Sequence, residues 1–296
     1  MEPLALINGE FIPQSRASLA LNDAGFVFGA TITDLCRTFN QKLYRWPDHL
    51  ARFRQSSGMT YIPVPYSDEQ ITAWANRLVA RNAAGRELIL VLFATPGPIG
   101  HYGGRASGVG DGQPTFGMHT FPLPFDRYRG LIEIGAALTI SPIRHVPGEC
   151  VDRRIKQRSR MHCWLADAWA RAQAPDAQAL LLDGAGFVTE TAAANFLLVK
   201  NGVVVSPPHE SILNGISLGV LEELCRRLGI AMVYGLISPT EAMIADEAML
   251  SSTPHCLAGV RSIDGVNLRW PGPVMQRLID AWSADVGVDI HGQFLV

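Results

Sequence analysis

Residues 151–160 have the sequence VDRRIKQRSR, in which Lys156 lies among four arginines. The chain has only two other lysines, Lys42 and Lys200, and both adjoin Asn-containing sequences that are typical of hairpin turns. Lys156 instead ends a predicted extended run and precedes Ser159, a candidate helix cap. We therefore expect Lys42 and Lys200 to be solvated and Lys156 to have a different environment.

The arginines around Lys156 also lead to a chemical prediction. On a strand, residues two apart share a face, so Arg154 and Arg158 would flank Lys156. Neighbouring cations lower the pKa of a lysine from about 10.4 towards roughly 7–8, where the amine is nucleophilic and can form a Schiff base. The alternative is a basic surface strand without chemistry, and this stretch alone leaves that alternative open.

The composition narrows the class of protein. The chain has 296 residues, of which 48% are hydrophobic and 18% are charged, as in a soluble globular enzyme of one large or two smaller domains. A net charge of -2 gives no electrostatic footprint for nucleic acid, and no apolar run approaches the ~20 residues of a membrane span. The first nine residues do not resemble a signal peptide, so we expect a cytoplasmic location. Scattered cysteines without a Cys-x-x-Cys pair predict reduced thiols and no metal site.

Hydrophobic periodicity predicts mainly strands and two helices before residue 95. The Asn-Gly turn at Asn8 predicts a hairpin over residues 6–12. The other predicted elements are strands at 26–29, 31–39 and 88–94, and helices at 47–58 and 67–84.

The Pro- and Gly-rich residues 95–114 predict a mobile loop. The glycines at 108–112 lack the strand-then-helix context of a phosphate-binding fingerprint. Residues 115–145 alternate in hydrophobicity and are predicted as strands, with prolines interrupting the pattern near 121–128. We place the domain boundary there, which gives an N-terminal domain of residues 1–122 and a C-terminal domain of residues 123–296.

The remaining residues alternate between predicted helices and strands. A helix at 160–172 would place Met161, Trp164, Leu165, Ala168 and Trp169 on one apolar side. The further predictions are strands at 179–183 and 187–190, a hairpin at 196–206, a helix that ends at about 228 before Gly229, and a final helix at 271–282.

Several motifs follow Lys156 in a fixed order. They are LDGAGFVTE at 182–190, NF at 195–196, ILNGIS at 212–217, ADE at 245–247 and SST at 251–253. In this order and spacing, the chain resembles the class IV, fold-type IV pyridoxal-phosphate enzymes from about residue 6 to residue 276. That family contains branched-chain and D-amino-acid aminotransferases and aminodeoxychorismate lyase. The resemblance implies an α+β, two-domain architecture with a smaller N-terminal α/β domain and a larger, β-barrel-like C-terminal domain with helices.

The resemblance also implies pyridoxal 5'-phosphate as the cofactor and gives roles to the matching residues. Lys156 would form the Schiff base and move the substrate's Cα proton, and Glu190 would keep the pyridine nitrogen protonated. Arg52 would bind the phosphate, together with the amides of Ile216 and Ser217 at a helix N-terminus. The complete set of predicted cofactor residues is Arg52, Lys156, Glu190, Asn195, Ile216, Ser217, Ser252 and Thr253.

Residues expected near the substrate depart from the family pattern. Thr33 and Asp34 replace an aromatic residue followed by glutamate, Met161 replaces an aromatic residue, and Arg160 replaces a frequent asparagine. Members that bind substrate carboxylates often carry an arginine after the strand at 88–94, where this chain has none before Arg105. Arg37 could equally be a member of a structural ion pair. His101 could equally be a loop histidine without a role. The candidate substrate contacts are Phe28, Thr33, Arg37, His101 and Arg105.

These residues together predict a class IV aminotransferase that transfers an amino group from an amino acid or amine to a 2-oxo acid through Lys156. A lyase of the aminodeoxychorismate lyase type on the same fold is the alternative enzyme. A scaffold without turnover is a third possibility, which the intact Lys156, Glu190 and Arg52 disfavour. The resemblance further implies a homodimer whose partner loop covers the site, and residues 95–114 are the candidate for that loop.

Overall fold

The computed structural model describes residues 2–100 and 113–296. The chain divides into two compact units, which are described one at a time. The first contains the residues up to Leu123 together with Ile155–Ser159, and the second contains Pro124–Arg154 and Arg160–Val296. Lys156 therefore belongs to the first unit, whereas a single cut after residue 122 would place it in the second.

A six-stranded sheet and helices form the first unit. The strand order is β2-β1-β6-β5-β3-β4. The elements are β1 (Leu4–Ile7), β2 (Glu10–Pro13), α1 (Ala24–Val27), β3 (Ile32–Phe39), β4 (Lys42–Leu43), α2 (Trp46–Thr60), α3 (Asp68–Asn82), β5 (Leu88–Thr95) and β6 (Thr115–Pro122).

Local sequence explains most of these elements. The β1–β2 turn has positive φ angles at Asn8 and Gly9, and the β3–β4 turn has them at Asn40 and Gln41, as two-residue hairpin turns require. A capping box at Ser67 begins α3. Apolar side chains of the central strands pack with those of α2 and α3 to form the core of this unit.

Two stretches predicted as strands are helical. Residues 24–27 form the short helix α1, because the Asp23 side chain accepts a hydrogen bond from the Gly25 amide at 2.7 Å and caps it. Residues 125–134 form a helix of the second unit, which buries Ile132 against Ala258 and Phe294. The alternation at 115–145 therefore holds only for residues 115–122 and 136–140.

A larger sheet with surrounding helices forms the second unit. Its elements are α4 (Phe125–Ile134), β7 (Ala136–Ile140), α5 (Met161–Gln173), β8 (Ala177–Leu182), β9 (Val188–Thr191), β10 (Asn195–Lys200), β11 (Val203–Ser206), α6 (Ile216–Leu228), β12 (Met232–Tyr234), α7 (Pro239–Met243), β13 (Glu247–Ser252), β14 (Cys256–Ile263), β15 (Val266–Asn267) and α8 (Pro273–Val286). Short 3-10 helices lie at Gln14–Arg16, His209–Ser211 and Gly292–Phe294.

The larger sheet closes on itself. Its order is β12-β11-β10-β13-β14-β7-β8-β9, and β9 also pairs with β10 where Glu190 faces Asn195. Strands β10, β13, β14, β7, β8 and β9 therefore form a ring, while β11 and β12 extend the sheet beyond β10. This arrangement confirms the predicted α+β class and the β-barrel-like second part.

Helix α5 exists as predicted but buries a different side. Cys163, Ala166 and Ala170 are its buried residues, whereas Met161 and Trp164 are 69% and 66% exposed. The small side chains let the helix approach the alanine-rich strand β8 closely, which larger residues would prevent. Of the predicted apolar side, Met161, Trp164, Leu165 and Ala168 lie on the surface of this chain, whereas Trp169 is half-buried against the core. Within the described part of the chain, we find no helix with the length and apolarity needed to cross a bilayer.

Candidate active site

The environment of Lys156 differs from the predicted strand. Residues 153–155 form a turn, and Gln157 makes an isolated bridge to Ile32. The exposed Arg154 pairs with Asp152, at 2.6 Å between Nη2 and Oδ2. A turn does not follow the two-residue alternation of a strand, so the inference that Arg154 flanks Lys156 is wrong.

The backbone of Lys156 is anchored within the first unit. Its amide donates to Ser56 Oγ of α2 at 3.1 Å, and its carbonyl accepts from the Thr33 amide of β3 at 3.0 Å. Ser159 does not cap a helix, because its Oγ donates to the Gly29 carbonyl at 2.6 Å. These hydrogen bonds explain why residues 155–159 belong to the first unit, and the Lys156 side chain is half-buried there.

A buried charge cluster in the first unit is centred on Asp34. Arg52 donates from Nε and Nη2 to its two carboxylate oxygens, both at 2.8 Å, and His49 Nδ1 lies 2.7 Å from Oδ1. Burial acts to raise the pKa of Asp34, but the charges and hydrogen bonds of Arg52 and His49 outweigh it and hold that pKa far below its usual range. Asp34 is therefore an anion, and two nitrogens of Arg52 are bound to it.

The sequence predicts phosphate binding for Arg52 but does not reveal its ion pair with Asp34 or the contact of Asp34 with His49. His49, Arg52 and Ser56 are three and four residues apart and lie on the buried face of α2, where a charge needs a partner. Burial lowers the pKa of His49 although Asp34 acts to raise it, and the positive charges of Arg52 and Lys156 lower it further. The positive charge of Lys156 therefore acts on His49, a member of the cluster.

Glu190 lies where the barrel of the second unit closes. Asn195 Nδ2 donates to Oε2 at 3.0 Å, and the Leu213 amide lies 3.3 and 3.4 Å from the two oxygens. Asn195 Nδ2 also donates to the Leu213 carbonyl at 2.8 Å. Asn195 therefore orients both the carboxylate and the segment before α6.

His145 is a further neighbour of Glu190 that sequence reasoning missed. Its Nε2 lies 3.4 Å from Glu190 Oε1, and its amide donates to the Leu182 carbonyl at 2.9 Å. The rings of His145 and His162 are 4.8 Å apart. Burial, followed by the charges of His145, Arg160 and Arg153, lowers the pKa of His162 to about 4. No motif surrounds His145, so only the fold reveals this contact.

The N-terminus of α6 has no side-chain cap. Its N-cap, Gly215, gives no side-chain cap, and the first turn contains no acidic residue. A Cβ at Gly215 would overlap the Asn195 amide oxygen, so glycine is required there. The amides of Ile216 and Ser217 follow this cap, at the positive end of the helix dipole. This placement agrees with the phosphate-binding role that the resemblance implies for these amides.

Residues 251–253 have separate roles in the second unit. Ser252 Oγ donates to the Ala193 carbonyl at 2.7 Å, so its hydrogen is already used. Ser251 Oγ is buried and has no hydrogen-bond partner among the described residues. Ser252 and Thr253 themselves are half-buried.

The predicted substrate contacts have different environments. Arg37 is 1% exposed, donates from Nε to the Thr38 carbonyl at 3.1 Å and lies 3.8 Å from the Phe39 ring centroid. These contacts are a hydrogen bond to the backbone and a cation–π contact, and both the substrate role and the ion-pair role of Arg37 stay predictions. Phe28 is exposed, and Thr33 is buried on β3. His101, Arg105 and the glycines at 108–112 lie outside the described residues.

The fold matches solved aminotransferase structures. The branched-chain amino acid aminotransferase from T.th., solved with pyridoxamine 5'-phosphate, aligns with a TM-score of 0.87 and 22% identity over 97% of this chain and 94% of that one. The branched-chain aminotransferase from Thermoproteus uzoniensis, solved with norvaline, aligns with a TM-score of 0.86 and 22% identity over 97% and 95%. The architecture is therefore that of a fold-type IV aminotransferase.

The sequence matches agree with the fold. Residues 31–263 match the family described as amino-transferase class IV, so the chain belongs to the class IV aminotransferases and is a transferase. The D-alanine aminotransferase of Listeria innocua is 27% identical over 269 residues, which cover 89% of this chain and 88% of that protein. Class IV aminotransferases use pyridoxal 5'-phosphate, and this chain's donor set of an anchored lysine, a held carboxylate and an uncapped helix N-terminus fits that cofactor.

Proposed function

We propose that the chain is a transaminase in which Lys156 holds the cofactor covalently and moves the substrate proton. The observation that carries the proposal is the difference between the three lysines. Lys42 and Lys200 are exposed strand residues that adjoin hairpin turns. Lys156 has both backbone polar groups bonded within the first unit and contributes positive charge to a buried histidine.

Each unit supplies a different part of the proposed chemistry. When bound, pyridoxal 5'-phosphate supplies an electron sink for negative charge at the substrate Cα. In the second unit, Glu190 would accept a hydrogen bond from the protonated ring nitrogen, and the α6 amides would bind phosphate. In the first unit, Lys156 would take and return the substrate proton, and Arg52 would add positive charge for the phosphate.

The contacts of Glu190 suit this role. Asn195 and Leu213 donate to the carboxylate oxygens of Glu190, and its side chain still has 13% of its surface exposed. A carboxylate has about four acceptor sites, so Glu190 can accept a further donor beyond these neighbours. The same reasoning supports Glu190 rather than the fully enclosed Asp34 as the acid that contacts a cofactor.

A panel of amino donors tests the proposal. Purified protein loaded with pyridoxal 5'-phosphate is given L-amino acids, D-amino acids or simple amines, with pyruvate or 2-oxoglutarate as acceptor. The panel includes D-alanine and branched-chain L-amino acids, the compounds named for its relatives. We expect a 2-oxo acid to form from the preferred donor. Absence of transfer from every donor, together with pyruvate release from aminodeoxychorismate, would instead establish the lyase alternative, which none of the relatives named above supports.

We also propose that the enzyme is a homodimer that uses the exposed side of α5. Met161, Trp164 and Leu165 are 69%, 66% and 48% exposed and lie three and four residues apart, which makes one apolar stripe. A second copy of the chain would cover it. In sedimentation velocity, we expect a dimer for the native protein and for Ile244→Asp, whose site is similarly exposed, and a monomer for Trp164→Asp. An unchanged dimer in Trp164→Asp would reject this surface. A cytoplasmic location stays a prediction.

A further inference from the structure

Arg158 lies two residues after Lys156 and on the same side of the backbone. The isolated bridge pairs Gln157 with Ile32, and the hydrogen bonds on either side of it join Lys156 to Thr33 and Arg158 to Thr31, both at 3.0 Å. In an extended segment, side chains alternate between faces, so Lys156 and Arg158 share the face opposite Gln157. The bridge therefore fixes an arginine beside the lysine.

A buried residue orients the Arg158 side chain. Arg158 Nη2 donates to Thr33 Oγ1 at 3.3 Å, and that hydroxyl donates its own hydrogen to the Leu92 carbonyl at 2.9 Å. Because its hydrogen is bonded to Leu92, the hydroxyl of Thr33 can act only as the acceptor of the hydrogen bond from Arg158. Thr33 is 8% exposed, whereas Arg158 is exposed, so one end of the guanidinium is held while the residue remains accessible.

Arg158 acts electrostatically on a neighbouring histidine. Burial lowers the pKa of His119, and the charge of Arg158 lowers it further, so His119 is a neutral neighbour. The carboxylate of Asp34, which is buried in the same unit, is bound by Arg52 and His49. A guanidinium in this position is suited to a carboxylate, which it binds with paired, charge-assisted hydrogen bonds.

We propose that Arg158 binds the carboxylate of the amino donor and of the 2-oxo acid, so that amino acids rather than simple amines are the substrates. This inference rests on the proposed role of Lys156, because it places the recognised group beside the reacting one. Thr33 then acts as a positioning residue for Arg158. Arg158 selects the carboxylate and not the substrate side chain, so it sets the class of substrate only.

Calorimetric titration of the cofactor-loaded protein tests the binding step without any turnover. The ligands are propionate and 4-methylvalerate, with their uncharged amides as references. We expect Arg158→Gln to weaken carboxylate binding about 10- to 100-fold, as for the loss of a charged hydrogen bond, and to leave amide binding unchanged. Arg154→Gln is the matched control, since Arg154 is also exposed but pairs with Asp152, and it should bind like the native protein. Arg158→Lys and Thr33→Val should give intermediate losses.

Steady-state kinetics provides a second readout. With Arg158→Gln, kcat/KM should fall about 10- to 100-fold for alanine, mainly through KM, and less than about threefold for ethylamine. Equal losses for both donors would show a structural role only and would overturn the proposal. If the native protein transfers no amino group at all, the proposed function fails. The titration then still tests the role of Arg158. If the native and Arg158→Gln proteins bind carboxylates equally well, or if neither binds them, the proposed role of Arg158 is rejected.

Discussion

The two units hold their important carboxylates in different ways. In the first, the side chain of Asp34 is fully buried and bound by the Arg52 cation and by His49, whose pKa is lowered by burial. In the second, Glu190 keeps 13% of its side-chain surface exposed and is held by the neutral donors of Asn195 and Leu213 with one histidine. An enclosed ion pair makes the fold depend on both of its partners, because losing one leaves a buried charge uncompensated, whereas an accessible carboxylate with neutral neighbours is available for chemistry.

Replacing Asp34 should give the largest loss of stability. Asp34→Asn leaves Arg52 buried without its anion, and we expect the free energy of unfolding to fall by about 3–5 kcal/mol. Urea denaturation followed by circular dichroism measures this. The exposed pair of Asp152 and Arg154 is the control, and Asp152→Asn should cost only about 0–1 kcal/mol. Similar losses in the two variants would remove the distinction between the enclosed and the exposed ion pair.

Replacing Glu190 should affect the reaction and spare the fold. Glu190→Gln removes the charge that would keep the ring nitrogen protonated, and we expect the transamination rate to fall about 10²- to 10³-fold. The free energy of unfolding should change by less than about 1 kcal/mol, because Asn195 and Leu213 can still donate to the glutamine oxygen. A variant that keeps its rate but unfolds more easily would reverse the assigned roles of Glu190 and Asp34.

The pH dependence of stability should also report on the buried Asp34. The pKa of Asp34 is lowered from 3.8 on folding, so its contribution is complete above that value and is lost as pH falls below it. His49 acts in the same sense, because burial lowers its pKa from 6.5 and its contribution is lost as pH falls through its lowered pKa. Asp34→Asn should therefore lose stability less steeply than native protein between about pH 5 and 3. Parallel curves for Asp34→Asn and native protein would contradict this.

The smallest expected effect concerns the anchor of Lys156. Ser56→Ala removes the acceptor of the Lys156 amide and should cost about 1 kcal/mol of stability. Transamination should also slow several-fold, because the lysine loses part of its positioning. Ser57 is the control on the same helix, since its Oγ donates to the Ile62 carbonyl at 2.6 Å. Ser57→Ala should lower stability similarly without slowing the reaction; equal rates in both variants would show that the anchor does not matter.

Local signals in the sequence predicted many elements correctly. The Asn8-Gly9 and Asn201-Gly202 turns, the helices α2 and α3, and the end of α6 at Gly229 all depend on nearby residues. The short helix α1 was missed because four residues give no periodicity. The buried side of α5 was also missed, because Cys163, Ala166 and Ala170 pack closely although larger apolar residues are available.

The site was less predictable because its contacts are distant in sequence. The Asp34 cluster joins β3 to α2, and Glu190 meets His145 and Leu213 from other segments. The membership of residues 155–159 in the first unit depends on a bridge to Ile32, more than a hundred residues earlier. Motif order predicts which residues lie near a cofactor, whereas the partners that hold them follow only from the fold.

Chemical trapping of the cofactor tests the central claim most directly. Protein loaded with pyridoxal 5'-phosphate is reduced with borohydride, digested and mapped by mass spectrometry. The three lysines serve as mutual controls, since Lys42 and Lys200 are exposed and Lys156 is half-buried. We predict that the reduced cofactor is attached to the peptide containing Lys156. Attachment to Lys42 or Lys200, or to no lysine, would contradict the account.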